Sequence, residues 1–293
     1  NYPINYKDIN KMPDKKKILR EINSNKKIDY KNLEDYWISA TGKTLYSKFI
    51  DRYNKKMWLV KSNKEIDTFS WSPKGPALKK GSRAVYGGQI CSYPKSLDGY
   101  NNFFDKLQKS KKIKVILNEQ VKVINLKKKI FKIRNKKEKF DIIVNTISPD
   151  FLLNYKFGEL KFIGRDIHKI VLPVKNLLPN KVAFIYYANN EKFTRICEFK
   201  KFTKHKSNST LVLLEFPSFN GKHYPLPLKK EIKKAQKYLK SLPDGYFSIG
   251  RAGSYRYEVD MDDSIEQALK IEEIIKDNSY DGPLPLKRWW NLN

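Results

Sequence analysis

The segment Gly250–Asp262, with the sequence GRAGSYRYEVDMD, says more about the fold than any other stretch of the chain. A short apolar run, Tyr246–Ile249, precedes it, and apolar residues at helical spacing follow from Met261 to Ile275. Glycines allow a backbone to approach a ligand closely, and the free amides at a helix start attract an anion. The segment therefore predicts a strand, a glycine turn and a helix that present backbone to an anion or to the edge of an electron-rich ring. The alternative is a plain glycine turn with tyrosines on the surface.

A second segment, Phe193–Lys200 (FTRICEFK), predicts a strand that carries an arginine. Alternation along a strand would place Phe193, Arg195 and Cys197 on one side and the intervening residues with Glu198 on the other. An arginine between apolar neighbours is costly unless it is paired. A bound diphosphate would pair Arg195 through two hydrogen bonds, and an Arg–Glu pair on a solvent face is the alternative.

Two aromatic segments come earlier in the chain. Tyr53–Trp58 (YNKKMW) predicts a helix end whose rings stack on a nucleobase or, alternatively, belong to the core. The stretch Tyr93–Tyr100 predicts a turn into a helix, and Tyr86 precedes it in a glycine-rich loop.

The remaining patterns mix helix and strand. Apolar residues spaced by four across residues 1–60 predict helices with a break at Thr41–Gly42, and Gly99–Leu107 predicts a short helix. Further predicted elements are strands over Val115–Leu117, Val121–Ile124, Ile130–Ile133, Phe140–Val144, Ile167–Val174, Val182–Tyr187 and Thr210–Glu215, and a helix over Leu228–Leu242. The strands from Ile167 onward predict an antiparallel sheet. The fold class is thus α/β with α+β parts.

The composition limits the kinds of partner. Of the 60 basic residues, 51 are lysine, and they are spread over every segment although the net charge is +29. A protein that reads nucleic acid would concentrate arginine and aromatic residues on one surface. We therefore expect no specific nucleic-acid partner, although the charge would speed the capture of a diphosphate.

Several site types have no support in the sequence. The two cysteines, Cys91 and Cys197, and three histidines show no metal-ligand spacing, and so few cysteines do not indicate a disulfide framework. No apolar run approaches the roughly 18 residues of a membrane span. Neither a Gly-x-Gly-x-x-Gly segment after a strand nor a Walker-type loop is present. We expect a cytoplasmic protein without a metal.

Taken in order, the segments resemble UDP-galactopyranose mutases. The matches to family motifs are Tyr53 with Trp58, Tyr93–Tyr100, Asn154–Leu160, Phe193–Glu198, Glu215–Pro217, Tyr224–Pro225 and Gly250–Met261. The resemblance extends from about Tyr30 to Ile275. It implies an FAD enzyme in which N5 of the reduced flavin attacks the anomeric carbon of a UDP-sugar, giving a flavin–sugar adduct and interconverting pyranose and furanose forms.

The resemblance also assigns residue roles. It implies catalytic roles, chiefly neutralising the departing diphosphate, for Arg195, Tyr224, Tyr257 and, less directly, Arg83 or Lys80. It implies that Tyr53, Trp58, Tyr86 and Tyr93 bind the uridine and sugar. Flavin contacts are implied for Gly250, Arg251, Tyr257, Asp260, Met261 and Asp262. His223 stands where the family often has a tyrosine, and one extra residue separates Tyr257 from Asp260, so the sugar is left open.

The family's phosphate loop would lie upstream of Asn1, so we expect an incomplete FAD/NAD(P)-binding Rossmann-like domain that is inactive alone. The implied domains are a helical substrate-binding domain (1–64), an antiparallel sheet domain (65–98 and 155–226) and the remaining part of the FAD-binding domain (99–154 and 227–293). UDP-galactose or a related UDP-sugar is the expected ligand, a homodimer the expected assembly, and cell-surface polysaccharide synthesis with galactofuranose the expected role. Two alternatives stay open, an amine-oxidase-type FAD oxidoreductase and a non-catalytic UDP-sugar-binding remnant.

Overall fold

The computed structural model describes residues 4–24, 30–68, 93–96, 98–179 and 182–277. The chain divides into two compact units. The first unit contains residues 1–115 and 165–220, and the second contains residues 116–164 and 221–293. Each unit thus combines segments that are far apart in the sequence.

The described residues form both helices and strands. The helices are α1 (Tyr6–Ile9), α2 (Lys15–Ser24), α3 (Leu33–Thr41), α4 (Lys43–Leu45), α5 (Asp51–Trp58), α6 (Asn101–Gln108), α7 (Pro149–Leu152), α8 (Lys200–Thr203), α9 (Lys229–Lys240), α10 (Gly250–Gly253) and α11 (Met261–Lys276). A π-helical turn, Tyr46–Ile50, joins α4 to α5, and a 3₁₀ turn spans Asn63–Glu65. The strands are β1 (Lys122–Asn125), β2 (Ile130–Ile133), β3 (Lys136–Lys139), β4 (Ile143–Asn145), β5 (Phe162–Leu172), β6 (Phe184–Tyr186), β7 (Arg195–Glu198), β8 (Thr210–Ser218), β9 (Tyr224–Pro225) and β10 (Tyr246–Ser248).

Capping side chains and a glycine set the ends of the helices in the first unit. Asn5 and Asn32 accept backbone N–H groups at the starts of α1 and α3. Gly42 has a φ of 81°, a left-handed conformation that glycine adopts without strain, and it separates α3 from α4. The buried side chains of Ile9, Ile18 and Leu45 form the core between these helices.

The sheet of the first unit has the strand order β6-β7-β8-β5. Strands β6, β7 and β8 pair in antiparallel fashion, with Tyr186 opposite Arg195 and Arg195 opposite Glu215. Residues in such a cross-strand row point to the same face of a sheet. The register therefore brings these three side chains together.

The second unit contains the short parallel pair β4–β10 and the antiparallel meander β1-β2-β3. Helix α9 contributes Leu239 to a core that also contains Phe131 and Tyr246. At the end of β4, a Cβ added to Gly253 would lie 2.8 Å from the carbonyl oxygen of Asn145. Only glycine allows α10 to approach β4 this closely.

Most of the predicted elements are confirmed, including the helices on both sides of Gly42, the antiparallel strands and the strand–turn–helix around Gly250. The predicted strand over Val115–Leu117 is wrong, because that segment pairs with no other described strand and exposes Val115 and Leu117. Strand β3 is not predicted from the sequence, because its lysines follow no apolar alternation. The division into three domains stays a prediction.

No helix in the described part of the chain is long and apolar enough to cross a membrane.

Candidate functional site

Arg195 lies at the centre of a cluster in the first unit. Its Nε and Nη2 atoms donate to one carboxylate oxygen of Glu215 at 3.0 and 2.7 Å. The guanidinium also lies over the rings of Phe184 and Tyr186, 5.5 and 5.8 Å from their centroids. Two hydrogen bonds and two ring faces together fix the plane of the guanidinium.

Burial strengthens this ion pair. The side chains of Arg195 and Glu215 are only 30% and 12% exposed, so water screens their attraction weakly. Burial by itself would lower the pKa of Arg195, but the hydrogen bonds and charge of Glu215 outweigh burial and raise it. Burial also raises the pKa of the neighbouring Cys197 thiol to about 11. Arg195 is therefore permanently charged, and Cys197 is a neutral thiol.

Aromatic rings extend from Arg195 in both directions, and we call this set the aromatic wall: Tyr53, Phe184, Tyr186, Phe202 and Tyr93. Tyr53 packs edge-to-face on Tyr186 with the ring centroids 5.6 Å apart. Phe202 stacks on Phe184 and on Tyr93, with centroids 6.2 Å apart in each pair. Four of the five rings are exposed, and Tyr53 is half-buried. Flat exposed rings beside a fixed cation suit a ligand with a nucleobase and phosphates.

The structure brings together the predicted residues Tyr53, Tyr93 and Arg195, which the aromatic wall connects. Trp58 is different, because its indole is only 1% exposed. Its burial favours the alternative that Trp58 is a core residue of α5. Tyr86, Arg83 and Lys80 lie outside the described residues.

A second cluster, in the second unit, surrounds Arg251. Its Nη2 donates to Asp260 at 2.7 Å and its Nε donates to the carbonyl oxygen of Val259 at 3.0 Å. The guanidinium lies 5.2 Å from the ring centroid of Tyr224 and 5.7 Å from that of Tyr257, and the two rings are 5.6 Å apart. The predicted residues Tyr224, Arg251, Tyr257 and Asp260 therefore form one group.

The start of α11 shapes one side of the Arg251 cluster. Asp260 forms a capping box with Asp263, whose side chain accepts the Asp260 amide at 2.8 Å. Met261 and Asp262 follow in the first turn, and both side chains are exposed.

The residues of the Arg251 cluster fit an FAD molecule. Gly250 has a φ of 73°, and among the described residues only the Ser264 hydroxyl lies within 4.0 Å of a Cβ added there. Its backbone N–H already donates to the Gln267 side chain at 2.7 Å. A guanidinium and two phenols are suitable donors for the phosphates and ring edge of a flavin nucleotide. The acidic first turn of α11 would repel phosphate, so these donors, rather than the amides of α11, are the groups that fit it.

Glu215 is not predicted from the sequence as the partner of Arg195. Phe184, Tyr186 and Phe202 are likewise not predicted as site residues. A signal was present for two of them, because Phe184 and Tyr186 alternate on a predicted strand and must share a face. The pairing with Glu215 required the register of β7 and β8, which no local pattern reveals.

Groups of three or more acidic, histidine or cysteine side chains that could hold a metal ion do not occur among the described residues.

The fold is similar to those of solved protein structures. A crystal structure of reduced UDP-galactopyranose mutase matches with a TM-score of 0.72 and 17% identity, over 94% of this chain and 76% of that chain. A protein provisionally named a protoporphyrinogen oxidase, from Exiguobacterium sp. 255-15, matches with a TM-score of 0.61 and 11% identity, over 90% of this chain and 72% of that chain. At such low identities the likeness concerns the fold alone. No curated protein matches the sequence significantly.

The sequence also matches the model of a protein family. The sequence model of the UDP-galactopyranose mutase (GLF) family matches residues 48–257, which is more than half of the chain. The matched region contains the whole aromatic wall, Arg195, Tyr224, Arg251 and Tyr257. The chain therefore belongs to the UDP-galactopyranose mutase family.

Proposed function

We propose that the protein interconverts the pyranose and furanose forms of a UDP-sugar, with UDP-galactose or a close relative as substrate. The observation that carries this proposal is Arg195. It is a half-desolvated guanidinium fixed in one plane beside exposed aromatic rings, within the region that matches the family. Such a cation can bind a diphosphate and stabilise the charge that develops when the diphosphate departs.

Arg195 and the aromatic wall are assigned to UDP. Glu215 occupies Nε and Nη2 of Arg195 through a single carboxylate oxygen, and within the described chain Nη1 makes no hydrogen bond. We assign Nη1 to a phosphate oxygen of UDP. Tyr53 and Tyr93, with Tyr86, are proposed to contact the uridine and sugar, where ring faces stack on a base.

The Arg251 cluster is assigned to FAD. The reduced flavin, when bound, would supply N5 as the nucleophile toward the anomeric carbon of the sugar. Arg251 would hold the cofactor's phosphates, with Gly250, Asp260, Met261 and Asp262 as further proposed contacts. Tyr224 and Tyr257, with Arg83, are proposed as catalytic hydrogen-bond donors to the departing diphosphate. An isomerisation of this kind produces no net oxidation.

Further parts of the proposal concern the cell. We propose a cytoplasmic enzyme that supplies a furanose nucleotide sugar for cell-surface polysaccharide, acting as a homodimer. The support is the family match, since these properties are typical of its members. Gel filtration with light scattering would test the dimer.

The direct test is an assay of the full-length protein, including any residues upstream of Asn1, with UDP-galactofuranose in the presence of FAD and dithionite. We expect UDP-galactopyranose to accumulate with reduced flavin and not with oxidised flavin, and chromatography separates the two nucleotide sugars. Arg195→Lys is the matched variant, because it keeps the charge but lacks the planar fork.

The other outcomes identify the alternatives. Net oxidation of an amine-type substrate with production of peroxide would indicate an oxidoreductase of the amine-oxidase type. UDP binding without flavin binding or turnover would indicate a non-catalytic UDP-sugar-binding protein.

A further inference from the structure

Lys56, on α5, makes an unusual set of contacts. Its Nζ atom donates to the carbonyl oxygens of Tyr187 and Glu191 at 2.8 and 2.7 Å, and a third carbonyl, that of Asn189, lies at 3.4 Å. All three carbonyls belong to the connection between β6 and β7. A lysine ammonium has three donors, and here all three are directed at the backbone of one hairpin loop.

The environment of Lys56 indicates that its hydrogen bonds to the loop carbonyls stabilise the fold. The side chain is half-buried, and burial lowers its pKa although the negative charge of Glu191 opposes that shift. A partly desolvated ammonium is costly unless its donors are satisfied. The loop carbonyls satisfy them, so the loop and the lysine stabilise each other.

The position of Lys56 connects three elements of the proposed UDP site. Tyr53 lies one turn earlier on α5, Tyr186 ends β6 immediately before the loop, and Arg195 begins β7 just after it. The start of α5 is itself fixed, because the side-chain amide of Asn63 donates to the backbone carbonyl oxygen of Asp51 at 3.0 Å. Lys56 therefore ties the hairpin with Tyr186 and Arg195 to a fixed helix that also carries Tyr53.

We propose that Lys56 is a positioning residue, which holds Arg195 and Tyr186 in place relative to Tyr53 so that they can bind UDP. The inference rests on the proposed function for its ligand, but the anchoring of the hairpin can be measured without any ligand.

The chain provides a matched control in the next residue. Lys55 belongs to the same helix, but its ammonium pairs with Asp51 at 2.8 Å, an i,i+4 pair within the helix itself. Lys55→Met removes a charge and keeps the helix propensity, as Lys56→Met does. A difference between the two variants in the measured properties then comes from the loss of the hydrogen bonds between Lys56 and the three loop carbonyls.

The experiment compares wild type, Lys56→Met and Lys55→Met by amide hydrogen exchange and by calorimetric titration with UDP. Two reporter amides belong to the hairpin, those of Tyr187, bonded to Thr194, and of Thr194, bonded to Glu215. In Lys56→Met we expect both to exchange about tenfold faster and the Kd for UDP to rise about tenfold, a size typical of a lost charged hydrogen bond. Lys55→Met should match wild type in both measurements.

A chemical rescue keeps the inference testable if Lys56→Met folds poorly. In Lys56→Ala, n-butylammonium should restore the protection of the Tyr187 and Thr194 amides and the UDP affinity. Tetramethylammonium has the same charge but no N–H donor, so it should restore neither.

Normal hairpin protection in Lys56→Met, or a loosened hairpin with unchanged UDP affinity, would overturn the positioning role. Failure of the proposed function gives a different pattern. The wild-type protein would then bind no UDP, and the exchange of the two reporter amides would still show whether Lys56 anchors the hairpin.

Discussion

The two units each contain an arginine with the same kind of surroundings. Arg195 and Arg251 both donate to a carboxylate at 2.7 Å and both lie over two aromatic rings. They differ in their partners' burial, because Glu215 is 12% exposed and Asp260 is 53% exposed. Water and salt screen an exposed pair far more than a buried one.

The supporting elements explain that difference. Glu215 belongs to a strand directly paired with β7, so the sheet fixes both partners of Arg195. Asp260 belongs to the start of a helix and is also engaged in a capping box. Arg195 is therefore preorganised for an anion, whereas Arg251 can exchange its carboxylate for a ligand's phosphate at small cost.

The largest expected effect is on turnover. Arg195→Ala should lower the turnover of UDP-galactofuranose by about 100-fold or more, as the loss of one preorganised donor to developing charge does. Arg251→Ala should weaken the binding of FAD by about fivefold at most, since exposed ion contacts contribute up to about 1 kcal/mol. Steady-state kinetics measures the loss of turnover, and FAD titration measures the loss of FAD affinity. If the two variants lost these by the same factor, Arg195 would be no more preorganised than Arg251.

The second effect is on stability. Glu215→Ala leaves a half-buried guanidinium unpaired and should lower the free energy of unfolding by about 2–3 kcal/mol. Asp260→Ala removes a helix cap and should cost about 1 kcal/mol. Urea denaturation measures both, with Glu215→Gln as a control that keeps an acceptor oxygen. A smaller loss for Glu215→Ala than for Asp260→Ala would contradict the ranking.

The third effect concerns Glu198, which lies on β7 with Arg195 and is fully buried. Burial would raise its pKa, but hydrogen bonds from Thr210 and from the amides of Leu178 and Leu177 lower it below its ordinary value of 4.5. As the pH falls, the carboxyl group of the unfolded chain, with its ordinary pKa, is therefore protonated first. The stabilisation that the Glu198 carboxylate gives the fold is complete above that ordinary pKa and is lost as the pH falls through the lower pKa of the folded state.

The variant Glu198→Gln isolates this contribution to acid unfolding. Wild type should lose stability more steeply than Glu198→Gln as the pH falls below about 4.5, the ordinary carboxyl value. Parallel stability curves for the two proteins between neutral and acid pH would show that the carboxylate contributes nothing.

The smallest effect is that of salt. In double-mutant cycles, the coupling free energy of Arg251 with Asp260 should be below about 1 kcal/mol and should vanish near 1 M salt, where the Debye length is about 3 Å. The coupling of Arg195 with Glu215 should change little. A salt-sensitive Arg195 pair would mean that water reaches it more freely than its burial indicates.

Much of the local structure was predictable from the sequence. Periodicity predicted the helices before Trp58, the antiparallel strands and the helix from Met261, because these elements depend on residues three or four apart or on simple alternation. Gly42 and Gly250 were recognisable because glycine marks backbone conformations that other residues avoid. Alternation alone placed Arg195 and Cys197 on one face and Glu198 on the other.

Only the tertiary structure decided which side chains meet. Glu215 becomes the partner of Arg195 through a strand register, and Lys56 reaches a loop more than 130 positions away in the chain. Trp58, in a motif that suggested a ligand contact, is buried because packing around α5 covers it. Local patterns report which residues share a face, whereas contacts between distant segments depend on register and packing, which many residues determine together.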